Sequence, residues 1–218
     1  EKLASNLHKT DKIALKLSSF NYDCKLIHDI IDIYAEKKIK VIIDAESNKF
    51  NDQYHSTVND LIFTYNKQYP CITKTYQMYR VDSYKTLTDD IKLFSDVYLG
   101  TKIVRGAYWN SEVKDGHLFT QKSLTDINYN KSIILLHKYN QIYTVLATHN
   151  TLSIDLGKTY NNDNVFEFAH LMGMKNKHYN KIIKTNTVNV YVPYGPYLKM
   201  IPYLSRRLLE NIDTIKYM

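Results

Sequence analysis

The chain has 218 residues, 44% of them apolar and 23% charged, a balance that can bury a core and that excludes a disordered or collagen-like polymer. No run approaches the roughly 18 consecutive apolar residues of a membrane-spanning helix. The 29 Lys and Arg against 22 Asp and Glu give a net charge of +7, spread singly among Asn, Tyr and Ile, which argues against a nucleic-acid partner and is compatible with peripheral contact with an anionic membrane.

Cys24 and Cys71 stand in unrelated contexts with no second Cys or His at ligand spacing, so neither a disulfide framework nor a metal centre is expected. The chain begins at Glu1 and shows no signal-peptide core, so it reads as an excised or processed segment without targeting information. In chain order, strands are expected at Lys12 to Leu17, Lys40 to Asp44, Ile72 to Gln77, Thr101 to Arg105, Tyr143 to Thr148, Val165 to Phe168 and Val188 to Val192. Between them lie amphipathic stretches, such as Cys24 to Lys38 with Leu26, Ile27, Ile30 and Ile31 on one face, and Asp89 to Ser95.

Strands alternating with helices define βα units around a parallel sheet. An open doubly wound sheet normally carries a Gly-rich turn after its first strand, and none is present. Instead a polar residue stands near the C-terminal end of nearly every strand: Lys16, Asp44, Gln77, Arg105, Thr148-His149-Asn150, Glu167 and Tyr191. In a barrel those ends converge on one face. The expectation is one domain, residues 1–218, forming an α/β (β/α)8 TIM-type barrel that lacks its first strand in this segment.

Lys16 is a cation in an apolar strand and needs an anion; a pair with Asp44 on the neighbouring strand and a role in a site are both open. Lys102 and Arg105 bracket Gly106-Ala107-Tyr108-Trp109, where small residues admit a ligand to the backbone and aromatics can wall it. His149 has no Ser or Cys nucleophile beside it. In Tyr203-Leu204-Ser205-Arg206-Arg207-Leu208-Leu209-Glu210-Asn211, Tyr203, Arg206, Arg207 and Glu210 share a helix face. The two guanidinium forks suit a carboxylate, the alternative being a solvated helix with a surface ion pair.

Taken together these segments resemble the FAD-dependent proline dehydrogenases, also called proline oxidases, closest to their eukaryotic mitochondrial branch. The resemblance runs in order through Ala14-Leu15-Lys16-Leu17-Ser18, Ile43-Asp44-Ala45-Glu46, Thr75-Tyr76-Gln77, Lys102-Ile103-Val104-Arg105-Gly106-Ala107-Tyr108-Trp109 and Ala147-Thr148-His149-Asn150. It continues through Phe168-Ala169-His170-Leu171-Met172-Gly173-Met174, Tyr191-Val192-Pro193-Tyr194-Gly195 and the Tyr203 to Asn211 helix.

The resemblance implies a flavin-bearing barrel that oxidises L-proline to Δ1-pyrroline-5-carboxylate by hydride transfer to flavin N5, with electrons passed to a quinone. Arg206, Arg207 and Lys16 would bind the substrate carboxylate, and Asp44 would organise them. Tyr108, Tyr191 and Tyr203 would enclose the ring, and Glu210 would orient an arginine. Gln77, Lys102 and Arg105 would hydrogen-bond the flavin, with Gly106, Ala107, Trp109, Thr148, His149 and Asn150 lining the rest of the FAD site. Lys102 would stabilise the negative charge that hydride transfer leaves on the ring. The family's glutamine in the Phe-Glu-Phe segment is unmatched, Ala169 and His170 standing there.

The family's first barrel strand would precede Glu1. Localisation is expected at the matrix side of the mitochondrial inner membrane, or otherwise at a cytoplasmic membrane surface. The competing expectations are an inactive or fragmentary barrel and a hydroxyproline dehydrogenase, against which the bulk of Tyr191 speaks.

Overall fold

In the third strand Ile72, Lys74 and Tyr76 alternate with Thr73, Thr75 and Gln77, and this period-two pattern separates two faces of one sheet. The computed structural model describes residues 4–161, 165–172 and 176–195, with 198, 201 and 205. Seven strands run through them: β1 (Lys12–Leu15), β2 (Lys40–Ile43), β3 (Ile72–Gln77), β4 (Gly100–Val104), β5 (Tyr143–Ala147), β6 (Phe166–Leu171) and β7 (Val188–Tyr191). Their order in the sheet is their order in the chain, and every pair is parallel. The connections carry α1 (Cys24–Ala35), α2 (Asn51–Tyr65), α3 (Ser83–Leu93), α4 (Trp109–Glu112), α5 (Lys122–His137), α6 (Thr151–Thr159) and α7 (Asn176–Ile182).

One face of the sheet meets the helices. Val41, Ile43, Ile72, Ile103, Leu146, Phe166 and Phe168 pack there against Ile27 and Ile31 of α1, Val58 and Leu61 of α2, Leu87 of α3, Ile133 and Leu136 of α5 and Ile154 of α6. The other face lines the interior of the curl. Its registered residues include Lys12 with Lys40, Ile42 with Thr73, Thr75 with Lys102, Val145 with Glu167, and Ala147 with Ala169. The sheet bends far enough for Lys12 Nζ of β1 to reach Glu167 Oε2 of β6 at 2.8 Å and Asn189 Oδ1 of β7 at 2.9 Å. This is the curvature of a (β/α)8 barrel.

The strands fall where expected except at their ends. β1 stops at Leu15, not Leu17, because Leu17–Phe20 turns into a 3-10 helix. β6 runs on to Leu171, three residues beyond expectation, since its backbone continues to pair with β7. Helix α1 is capped by Asp23, which accepts the Leu26 N–H at 3.0 Å. It ends at Ala35 rather than Lys38, because Lys38 takes a left-handed φ of 57° and Ile39 N–H bonds back to Tyr34 O at 2.9 Å. Helix α3 begins six residues before the expected Asp89. In α6, a Cβ on Gly157 would lie 2.6 Å from Leu146 Cδ1, so glycine permits the close seat of this helix on β5 and β6.

Candidate active site

Lys16, Asp44, Arg105, Thr148, His149 and Asn150 lie just beyond their strands, and Gln77 and Tyr191 end theirs, which sets these side chains at the rim of the curl. Glu167, expected at a strand end, is instead the second residue of β6 and meets Lys12 inside the curl. At the rim a cleft of about 460 Å³ opens, lined among others by Lys16, Asp44, Gln77, Lys102, Arg105, Gly106, Ala107, Tyr108, Thr148, His149, Asn150 and Tyr191. Twelve residues nominated from the sequence thus meet on one surface. Trp109 does not line it; its indole N–H donates to Phe119 O at 2.9 Å. Tyr203, Arg206, Arg207 and Glu210 lie outside the described residues.

The pair open between Lys16 and Asp44 is not formed. Asp44 Oδ1 instead accepts from Lys102 Nζ at 2.6 Å, with 10% and 15% of the two side chains exposed. Lys102 faces inward on β4, and its ammonium reaches past β3, where Thr75 is its register partner, to Asp44 at the end of β2. The Lys102 ammonium also lies 5.9 Å from the centre of the Tyr191 ring. Lys16, half-buried at the cleft, has no ion-pair partner among the described residues.

Around the rim, neighbouring βα connections are tied by side chains. Glu46 accepts the Ser18 N–H on Oε1 at 2.9 Å and the Ser18 hydroxyl on Oε2, joining the connections after β1 and β2. Burial, then the charge of Glu46, pushes the Tyr22 hydroxyl up to about 12. Gln77 Nε2 donates to Glu46 O at 3.2 Å, which joins β3 to the same loop. Glu112, 7% exposed, accepts from Asn48 N–H at 2.8 Å and from Tyr79 Oη–H at 3.3 Å, joining the connections after β2, β3 and β4. Tyr79 lies directly beneath Gly106, whose φ is 136°; a Cβ there would fall 2.5 Å from the Tyr79 ring.

Arg105, which lines the cleft, is anchored by neighbouring elements. Its Nε donates to Asp126 at 2.8 Å, its Nη2 to Ser153 Oγ at 2.9 Å and its Nη1 to Thr148 Oγ1, while its guanidinium lies 4.5 Å from the Tyr129 ring centre. It therefore locks the end of β5 to the start of α6. Although burial works against it, Asp126 is held below the usual carboxylate range by hydrogen bonds from Lys122 and Arg105. Asn150 caps α6 through Ser153 N–H at 3.1 Å, and His149 Nε2 accepts the Leu171 N–H at 3.2 Å, joining β5 to β6.

Thr75, Lys122, Ala169, His170 and Leu171, none of them a site residue by sequence, also line the cleft. Thr75 and Gln77 are two apart in one strand, as are Ala169 and Leu171, so the period-two pattern was the available signal. Lys122 carried none, because it lies on the solvated first turn of a helix.

The fold is a parallel α/β barrel with a charged, aromatic-edged cleft at the C-terminal ends of its strands, the place where such barrels hold small molecules. The family model described as proline dehydrogenase matches residues 1–217, and the chain belongs to that family. Proline dehydrogenase 1, mitochondrial, of Dictyostelium discoideum is 32% identical over 207 residues, covering 84% of this chain and 36% of that protein. The human protein of the same name is 26% identical, covering 85% of this chain and 35% of its own length. Among solved structures, a mutant of Bradyrhizobium japonicum proline utilization A superimposes with a TM-score of 0.81 at 26% identity, over 96% of this chain and 25% of that one. The chain thus spans about a third of the length of these curated relatives.

Proposed function

We propose that the protein of which this chain is part oxidises L-proline to Δ1-pyrroline-5-carboxylate with FAD as the primary acceptor and a quinone as the next. The observation that carries this reading is the convergence of Lys16, Asp44, Lys102, Gln77, Tyr108 and Tyr191 on one cleft. The names of the relatives support the substrate and a mitochondrial setting. Among the described residues no helix is long and apolar enough to cross a membrane. We propose a peripheral contact with an anionic membrane surface, which the net charge of +7 favours, for delivery of electrons to a membrane quinone.

The donor set fits a flavin ring. Gln77 offers a carboxamide fixed through its Nε2, Lys102 an ammonium held beside Asp44, and Thr148, His149 and Asn150 a polar corner at the end of β5. The exposed backbone of Gly106 and Ala107 admits close approach. Bound there, the flavin supplies a two-electron acceptor, and the protein supplies orientation and charge. The Lys16 ammonium attracts the substrate carboxylate, Tyr108 and Tyr191 flank its apolar ring, and the Lys102 cation favours negative charge on the cofactor. Arg206, Arg207 and Tyr203 are proposed to complete the carboxylate and ring pocket.

A visible absorption spectrum followed by anaerobic addition of L-proline tests the reading: a flavin spectrum that bleaches is expected. Bound flavin that proline leaves oxidised overturns the substrate, and a chain that takes up no FAD overturns the cofactor. Arg206→Met is expected to raise the KM for proline at least about tenfold with FAD retained. An unchanged KM removes its carboxylate role.

A further inference from the structure

The residue that binds the substrate's carboxylate end must itself be held, and Lys16 sits where the chain has just left the sheet. It is extended, with φ −111° and ψ 117°, at the threshold of the 3-10 helix Leu17–Phe20. Its side chain makes no hydrogen bond that caps this turn. The first N–H groups of such a turn have no partner within it. Glu46, 9% exposed, supplies one: both carboxylate oxygens are engaged by Ser18, one by its N–H and one by its hydroxyl. A buried carboxylate is retained at the start of a helical turn two residues from the cleft lysine, although its charge carries a desolvation cost. Asp44 N–H bonds Leu15 O at 2.8 Å on the strand side of Lys16, so the lysine is pinned from both flanks by the connection that follows β2.

From this we infer that Glu46 is a positioning residue for substrate: through Ser18 it fixes the backbone from which Lys16 reaches the carboxylate. The inference rests on the proline reading proposed above. The tie to the cofactor wall is separate, because Gln77 is held by the main-chain carbonyl of Glu46 and not by its carboxylate. A substitution of the side chain therefore acts on substrate binding while leaving the flavin wall in place.

The test is a double-mutant cycle on the flavin-loaded protein, reading flavin content, proline KM and kcat. Glu46→Gln keeps one acceptor and loses the second together with the charge; it is expected to raise KM about fivefold with kcat and flavin content within about twofold. Ser18→Ala, which removes only the hydroxyl leg, is expected to show a smaller rise in the same direction. In a Lys16→Met background Glu46→Gln is expected to add less than about twofold, because the group it positions is gone. The inference is overturned if KM stays at the wild-type value in both single variants, or if the same rise persists without Lys16. It is also overturned if flavin content falls while KM holds, the mark of a merely structural role. Wild-type protein that binds FAD but ignores proline overturns the proline reading and this inference together, and is recognised by its unbleached spectrum.

Discussion

Two charged or chargeable side chains on the outer face of β3 and on α2 show how burial changes what a residue does. Lys74 has no exposed side-chain surface; its ammonium donates to Asp90 Oδ2 and Asn59 Oδ1, each at 2.6 Å, and Asp90 also accepts the Tyr76 hydroxyl at 2.7 Å. Burial holds the Lys74 pKa below its ordinary value, the Asp90 charge opposing it. Nearby His55 has a buried Nδ1 without a hydrogen-bond partner among the described residues. Burial first, then the Lys74 charge, lowers its pKa to about 4 from 6.5. Between these values the unfolded chain binds a proton that the native state refuses, so stability rises with pH across this window. The melting temperature is accordingly expected to fall as pH drops from about 6.5 to about 4 through this group. His55→Phe should flatten that part of the profile, and an unaltered profile would exclude the role.

Elements are joined by side chains that stand in for missing backbone partners. The ladder between β2 and β3 ends at Ile43 and Lys74. Into the opening comes the hydroxyl of Tyr54 from α2, 2.8 Å from Thr75 N, 3.0 Å from Thr75 O and 3.1 Å from Ile43 O. It accepts the Thr75 N–H and donates its one proton to a carbonyl, so the strands splay at the rim without an orphaned amide. Tyr54→Phe is expected to cost about 1–3 kcal/mol, read as a lower urea midpoint at unchanged slope. Buried asparagines do similar work before two strands. Asn66 accepts the Ile72 N–H at 2.7 Å and donates to Ile72 O at 2.8 Å, and Asn161 does the same for Phe166 at 2.6 and 3.0 Å.

At the scale of the whole molecule, closure of the curl depends on a few polar contacts inside it. Lys12 meets Glu167 and Asn189, Glu167 accepts the Tyr143 hydroxyl at 3.0 Å, and Asn189 Nδ2 donates to Glu167 at 2.7 Å. Lys12→Met leaves a partly buried carboxylate, 19% exposed, short of its cation and is expected to destabilise the fold by about 1–3 kcal/mol in denaturant titration. Lys12→Met with Glu167→Leu should recover part of that loss, since the unpaired charge is gone. Equal loss in the single and double variants would show that the pair does not hold β1 against β6.

The chain alone determined its strands, their parallel class and most of the rim residues, because period-two alternation and polar strand ends are local signals that a barrel turns into one surface. It also displayed the ordered segments that mark the family. Only the tertiary structure decided partners. Asp44 takes Lys102 rather than Lys16, because inward side chains on alternate strands meet across a small residue such as Thr75. Arg105, a cofactor candidate from sequence, lines the cleft, and the fold also ties it to Asp126, Thr148 and Ser153. Glu46 and Glu112 drew no positioning role from the sequence, since a carboxylate in a loop looks solvated until the neighbouring connections close over it. Which charge is buried, and against what, is a property of the closed curl, where groups far apart in the chain share a dry interior and each needs the partner that the others leave available.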